Sequence, residues 1–257
     1  MSQIIDMLVT VKAYPQLSAR YGETVCVAGI RTDTPAPAWV RLYPVVYRDL
    51  HYDLRFAKYQ HITLEVSDAN DPRPESLRPN LDTLRLGETL DTSNGWGSRR
   101  RLVEPFMVSS MCEVLATQAV DGSSLGVFRP DHVDDLVIVP EDDDWDADKQ
   151  VIVDQPSLFF PGKAGLEKIP YRFLYEYGCG DAGCPGHRQT IVDWEIAQLY
   201  RTLRDRGDAE ADVLRKIRDK WLGKMCAPDR DTAFFVGNHL KNPRGFMVLG
   251  VFWPPRV

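Results

Sequence analysis

Nine residues, Cys179 to His187, constrain this chain more than any other stretch. In CGDAGCPGH two thiols and an imidazole are separated only by Gly, Asp, Ala and Pro. Little side-chain bulk stands between the three groups, so a tight turn can bring them onto one ion at about 2.0–2.3 Å. Soft thiolates with an imidazole select zinc among the common biological cations. Three ligands leave a tetrahedral site open, so a fourth is expected from elsewhere. Cys226, in KMCAPDRD, is the expected fourth ligand and Asp193 the second choice.

The residues around this loop explain the choice of Cys226. Tyr171, Phe173, Tyr175 and Tyr177 alternate along a strand that leads straight into the loop. After it, Asp193 is placed to cap a helix, VDWEIAQLYRTLRDR, with Glu195 in its first turn, where the helix dipole favours an acid. Gly207-Asp208 breaks that helix. A second follows, with Val213, Leu214, Ile217, Trp221 and Leu222 as its apolar stripe. An antiparallel return would carry Cys226 back toward the start of the first helix. Thr232 to Pro255 reads as two strands joined by NHLKNPRG. Phe234–Leu240 and Arg244–Phe252 look like the two signatures of an RNA recognition motif. Only a turn separates them where that motif needs a helix and a strand, so that assignment is rejected.

Upstream, residues 4–13, 23–31, 38–47 and 59–67 are β-branched or aromatic and separated by turn chemistry. Four short strands at this spacing predict a small β-barrel or a curled antiparallel sheet. Residues 68–101 shift to Pro, Gly and polar types and read as loops with a short element near 81–90. Residues 102–119 have helical spacing with Cys112 in the core, 125–139 a strand, turn and strand, and 141–148 an exposed acidic loop. A further loop is expected over 157–165. The expected class is α+β: an N-terminal β-rich domain (1–80), a connecting region with one helix and the acidic loop (81–165), and a zinc-containing unit with a helical hairpin and a β-hairpin (166–257).

Charge decides which partners to consider. Residues 1–80 carry 9 basic and 9 acidic side chains (net 0), 81–165 carry 7 and 16 (net −9), and 166–257 carry 15 and 12 (net +3). A mildly basic part can meet phosphates while a remote acidic segment sets the overall charge. Arg41 and Arg48, interleaved with Tyr43 and Tyr47, and the cations Arg215, Lys216, Arg218, Lys241 and Arg244 are the expected DNA or RNA contacts. Five cysteines, an odd number in a long chain without a basic leader, point to a reducing cytoplasm. No apolar run reaches the ~20 residues that would cross a membrane.

Three functions follow. The first is a cytosolic zinc-containing protein that binds nucleic acid. The second is an accessory protein with a protein partner and a structural zinc. The third is a metal-dependent hydrolase, a nuclease acting on phosphodiesters, with Asp193, Glu195 and His239 as its catalytic groups. No Gly-x-Ser-x-Gly elbow, phosphate loop, dinucleotide fingerprint or zinc-deaminase signature is present.

Overall fold

The alternating apolar residues of the first third of the chain form strands close to their expected bounds. The computed structural model describes residues 2–18, 21–153 and 165–256. In chain order the elements are β1 (Ser2–Lys12), β2 (Gln16–Ser18), β3 (Gly22–Arg31), β4 (Trp39–Val45), β5 (Gln60–Asp68), β6 (Ser76–Thr89), α1 (Ser93–Val103), β7 (Met107–Val108), α2 (Met111–Asp121), β8 (Leu125–Phe128), β9 (His132–Pro140), α3 (Ala147–Val153), β10 (Tyr171–Gly178), β11 (His187–Thr190), α4 (Trp194–Asp205), α5 (Glu210–Arg218), β12 (Ala233–His239) and β13 (Asn242–Phe252). The class is mixed α+β. The loop expected over 157–165 lies, apart from Gly165, outside the described residues.

The chain divides into two units. One comprises Met1–Asn70, Ser76–Thr89 and Pro140–Tyr171. Its centre is a closed five-stranded barrel in the order β1-β5-β6-β4-β3, with β3 returning to pair β1. All its pairings are antiparallel except β4 with β6. Val25, Val27, Val40, Leu42, Ile62, Leu64 and Val66 fill it and are fully buried. Burying one such side chain contributes about 1.5–3 kcal/mol. The closing strand, β6, starts in residues expected to be loop and runs on through the short element expected near 81–90. Its outward residues Arg78, Asn80, Asp82 and Arg85 are exposed, so its composition reads as polar. Pairing on both sides holds it as a strand, and Pro79 sits next to a register shift, where a missing N–H is tolerated.

The other unit comprises Asp71–Glu75, Leu90–Val139 and Arg172–Val257. It holds a four-stranded sheet, β13-β12-β8-β7, and a three-stranded sheet, β11-β10-β9. A parallel bridge between Ile191 and Val248 links them. Aromatic rings form its core. Tyr175 stacks on Phe234 at 4.7 Å between centroids, and Phe128 packs on Tyr177 and Phe234. The strand β10, the hairpin β12–β13 and the helix pair α4 and α5 lie where the sequence places them, whereas β11 pairs with β10 in a stretch where no strand is expected.

The helix expected over 102–119 is confined to α2 at Met111–Asp121, and α1 occupies Ser93–Val103, from residues expected to be loop. Pro105 terminates α1 in a short 3-10 turn. A new helix then starts at Ser110, whose hydroxyl accepts from the Glu113 N–H at 3.0 Å. Glu113 reaches back to the Ser109 N–H at 2.7 Å, completing a capping box one residue early. Arg99 and Arg100 are half-buried and bonded within the chain, while Arg101 is exposed. Arg99 donates to the Leu90 carbonyl, and Arg100 to Asp231, Glu104 and the Pro255 carbonyl.

Candidate metal centre

The strand β10 ends at Gly178, and the loop that follows carries Cys179 and Cys184 before β11 opens on His187. Gly183 and Gly186 adopt φ of +80° and +90°, a region that side chains disfavour. Those two turns fold the loop back so that His187 pairs opposite Tyr177 across the hairpin. The Tyr177 ring then stacks on the imidazole at 5.2 Å.

Three expected ligands therefore meet, and a fourth joins them: Cys112, in the first turn of α2. The Cys179 Sγ lies 3.5 Å from Cys184 Sγ and 3.7 Å from Cys112 Sγ. The His187 Nε2 lies 3.2 Å from Cys184, 3.3 Å from Cys179 and 3.7 Å from Cys112. All four donor atoms fall within 4.8 Å of one another. A tetrahedral zinc with bonds of about 2.3 Å to sulfur and about 2.0 Å to nitrogen needs edges of about 3.8 Å and 3.5 Å. Five edges lie close to those values and the sixth, Cys112 to Cys184, within 4.8 Å, so the four residues fit a zinc-sized ion with small side-chain adjustments.

Several contacts fix Cys112 there. The Ser110 hydroxyl that caps α2 also bonds the Asp181 carboxylate in the loop. The Gln189 amide of β11 donates to the Met111 sulfur at 3.5 Å, while its oxygen accepts from the Tyr177 hydroxyl at 2.7 Å. The electrostatics of the four groups suit a cation. Burial and the neighbouring Cys184 and Cys179 push the Cys112 thiol up to about 12. Cys179 is held below the usual thiol range: burial raises it, but the Asp181 backbone N–H and the Cys184 thiol lower it further. Three thiols this close cannot all ionise unaided, because each thiolate opposes the next. A bound divalent cation reverses that opposition and deprotonates them together. Burial lowers the His187 value and favours the neutral imidazole that ligates.

Cys226, the expected fourth ligand, is not in this group. The helical return does bring it back to β10, but level with Tyr175. Its Sγ contacts the Trp221 carbonyl at 3.4 Å, and burial pushes its thiol up to about 12. Tyr175 is four strand residues from Cys179, a distance of about 13 Å at the usual rise. Cys112, expected as a core thiol, takes the place instead.

Residues 107–257 match the family model described as Domain of unknown function (DUF8757). The chain belongs to that family. All four of the clustered residues fall inside the DUF8757 region, and residues 3–105 match a second model, Domain of unknown function (DUF8758). No curated protein matches the sequence. Two solved structures resemble the chain at low similarity. One is described as a murine DNA binding protein bound with double-stranded DNA (8% identity, TM-score 0.32, 99% of this chain and 97% of that one). The other is the p204 HINb domain (8% identity, TM-score 0.30, 98% and 95%). Superpositions this poor carry neither fold nor function to this chain.

The remaining predicted site residues of the DUF8757 region do not gather. Asp193 is 1% exposed and caps α4, its Oδ1 accepting from the Glu195 N–H at 2.9 Å. Glu195 is exposed, and His239 lies on the exposed end of β12. None of the three joins a metal-competent cluster among the described residues. On α5, Arg215 pairs with Asp212 at 2.8 Å, Lys216 with Asp208 at 2.7 Å, and Arg218 with Asp135 and the Leu136 carbonyl. Lys241 and Arg244 are exposed on the β12–β13 turn. In the barrel unit, Arg48 pairs with Glu23 at 2.8 Å. Arg41 is only 3% exposed, its guanidinium 3.0 Å from the Cys26 sulfur. The capping role makes a clear prediction. Asp193→Ala is expected to cost about 0.5–2 kcal/mol of stability in denaturant titrations, and Asp193→Asn, which also caps well, much less.

Proposed function

We propose that this is a nucleic-acid-binding protein built on an OB-type barrel and braced by one structural zinc, which fits a reducing compartment such as the cytosol. The observation that carries the reading is the order in which the barrel closes. Numbered one to five along the chain, its strands neighbour as 1-2-3-5-4-1, with three and five parallel. That is the connectivity of the OB barrel, whose second and third strands and adjoining loops bind oligonucleotides. Fold by itself does not establish function. The face of β3 and β4 opposite the barrel core adds a chemical argument. It carries Arg41 and Tyr43, with Tyr21 edge-on to Tyr43 at 6.3 Å. Aromatic rings that stack bases beside a cation for phosphate are the usual equipment for single strands.

The metal reading supports bracing over hydrolysis. Four protein ligands close a tetrahedral zinc, leaving no position for an attacking water. Arg215, Lys216 and Arg218 of α5 pair with carboxylates at a partly exposed surface, so Lys241 and Arg244 are the expected contacts to test first. Fluorescence anisotropy with a labelled oligothymidylate tests the proposal. Weak binding is expected at low salt, falling with a log–log slope of about −0.7 per phosphate contact. Lys241→Glu with Arg244→Glu is expected to weaken it further. Binding that ignores salt would count against the reading.

A further inference from the structure

The barrel face just described is partly withdrawn from solvent: Arg41 is buried and Tyr43 half-buried. Thr24 and Ala28, on the same side of β3, are fully inaccessible, as is Thr10 of β1, whose hydroxyl contacts the Ala28 carbonyl. The polar and aromatic groups there bond each other: Arg41 to Cys26, and the Thr24 hydroxyl to that of Tyr43 at 3.3 Å. An outward barrel face carrying Arg and Tyr would ordinarily meet solvent or a ligand.

The excursion Pro140–Tyr171 belongs to the barrel unit, although its ends continue β9 and β10. Its ends meet where the Glu141 N–H donates to the Pro170 carbonyl at 2.9 Å. Between them, α3 packs against β2 and β3, with Gln150, Ile152 and Val153 half-buried. β2 lies in the connection between the first two barrel strands. The helix therefore sits on one of the loops and one of the strands that an OB barrel uses for an oligonucleotide. The excursion is built to hold its place. The Trp145 indole donates to the Leu166 carbonyl at 2.8 Å, and Lys168 to the Asp144 carbonyl at 2.9 Å. Tyr14, between β1 and β2, donates to the Glu167 carbonyl at 3.0 Å. Gly165 lies so close to α3 that a Cβ would come within 2.4 Å of Val153 Cγ1. Meanwhile Glu141, Asp142, Asp143, Asp144, Asp146 and Asp148 are all exposed. Its described part thus packs α3 on the β2–β3 side of this face and turns six carboxylates to solvent.

We infer that residues 141–153 are an autoinhibitory cover over the oligonucleotide face of the barrel, excluding single strands by occupation and by charge repulsion. The inference rests on the nucleic-acid reading above. Two variants separate its parts. Asp142→Asn, Asp143→Asn, Asp144→Asn and Asp148→Asn together remove charge without touching the core. Ile152→Asp with Val153→Asp unseats α3. The probe is a fluorescein-labelled oligothymidylate longer than the 4–16 nucleotides that one barrel occupies. Thermal melting and metal content report whether each variant is folded.

Relative to the unaltered protein, both variants are expected to bind about tenfold more tightly at low salt. For the amide variant the gain should fade at high salt, where screening removes the repulsion. For the α3 variant it should persist, and adding Arg41→Ala should erase it. Equal or weaker binding by both folded variants, with measurable binding by the unaltered protein, overturns the cover and leaves the nucleic-acid reading standing. No binding by any of the three proteins overturns that reading, and the cover with it.

Discussion

Protein purified without a histidine tag is expected to contain about one zinc per chain, and Cys112→Ser is expected to lose most of it. The same holds for Cys179→Ser, Cys184→Ser and His187→Ala, whereas Cys226→Ser should keep full occupancy. Elemental analysis beside thermal melting checks both. Five of the six distances between the donor atoms already stand near tetrahedral edge lengths, so binding needs little search for geometry. They come from separate parts of the chain: Cys112 on α2, and the other three on the β10–β11 loop. An unfolded chain holds those parts apart, so zinc binds the folded state preferentially and stabilises it. At a free concentration a thousand times the dissociation constant, that linkage is worth about 4 kcal/mol. For a unit of this size each kcal/mol moves the melting temperature by about 2–4 °C, so a fall of roughly 8–16 °C is expected. Metal-free protein that melts at the same temperature as the purified form would remove the structural role. Retention of zinc by Cys112→Ser would return the fourth position to another residue.

Asp231→Ala is expected to be the most damaging single change outside the apolar core and the metal centre. Asp231 accepts from the Arg129 Nε at 2.6 Å and the Arg100 Nη1 at 2.7 Å, and is 20% exposed. Arg100 also holds Glu104 at 2.6 Å and the Pro255 carbonyl at 2.7 Å. Removing the carboxylate leaves two guanidinium groups facing each other with only Glu104 between them. Breaking a fully buried pair costs about 3–5 kcal/mol, and partial exposure brings the expected loss here to about 2–3 kcal/mol. The Arg129 and Arg100 hydrogen bonds hold the Asp231 value below its ordinary 3.8. A depressed carboxylate contributes stability that is fully present above the unfolded value and lost as pH falls through the folded one. The difference between the parent and Asp231→Ala should therefore be constant at neutral pH and shrink below about pH 4. Denaturant titrations across that range measure it. A difference unchanged at pH 2 would mean that the ion pairs are not its source.

Local chemistry was enough for much of this. Alternation marked β1, β3, β4 and β5 within about two residues. The apolar spacing after Asp193 marked α4, and turn residues marked the β12–β13 hairpin, because each of these is set by neighbours in sequence. Cys179, Cys184 and His187 could be grouped from spacing alone, since a nine-residue loop cannot keep them far apart. A Ser-x-x-Glu signal at Ser110–Glu113 was also present in the sequence and marks the true start of α2. Distant pairing decided the rest. β6 is polar on its outer side and becomes a strand only because β5 and β4 offer partners on both edges. As sequence, Cys112 sits among apolar residues and Cys226 in the polar stretch KMCAPDRD just after a helix, which favours Cys226 as the ligand. The tertiary structure separates them: the capped start of α2 places one at the metal loop, and the helical return leaves the other about four strand residues short. The basic residues show the same limit. Composition counts Arg41, Arg215, Lys216 and Arg218 as equivalent cations, but the fold buries Arg41 and pairs Arg218 with the distant Asp135, while Arg215 and Lys216 pair with carboxylates close by in sequence.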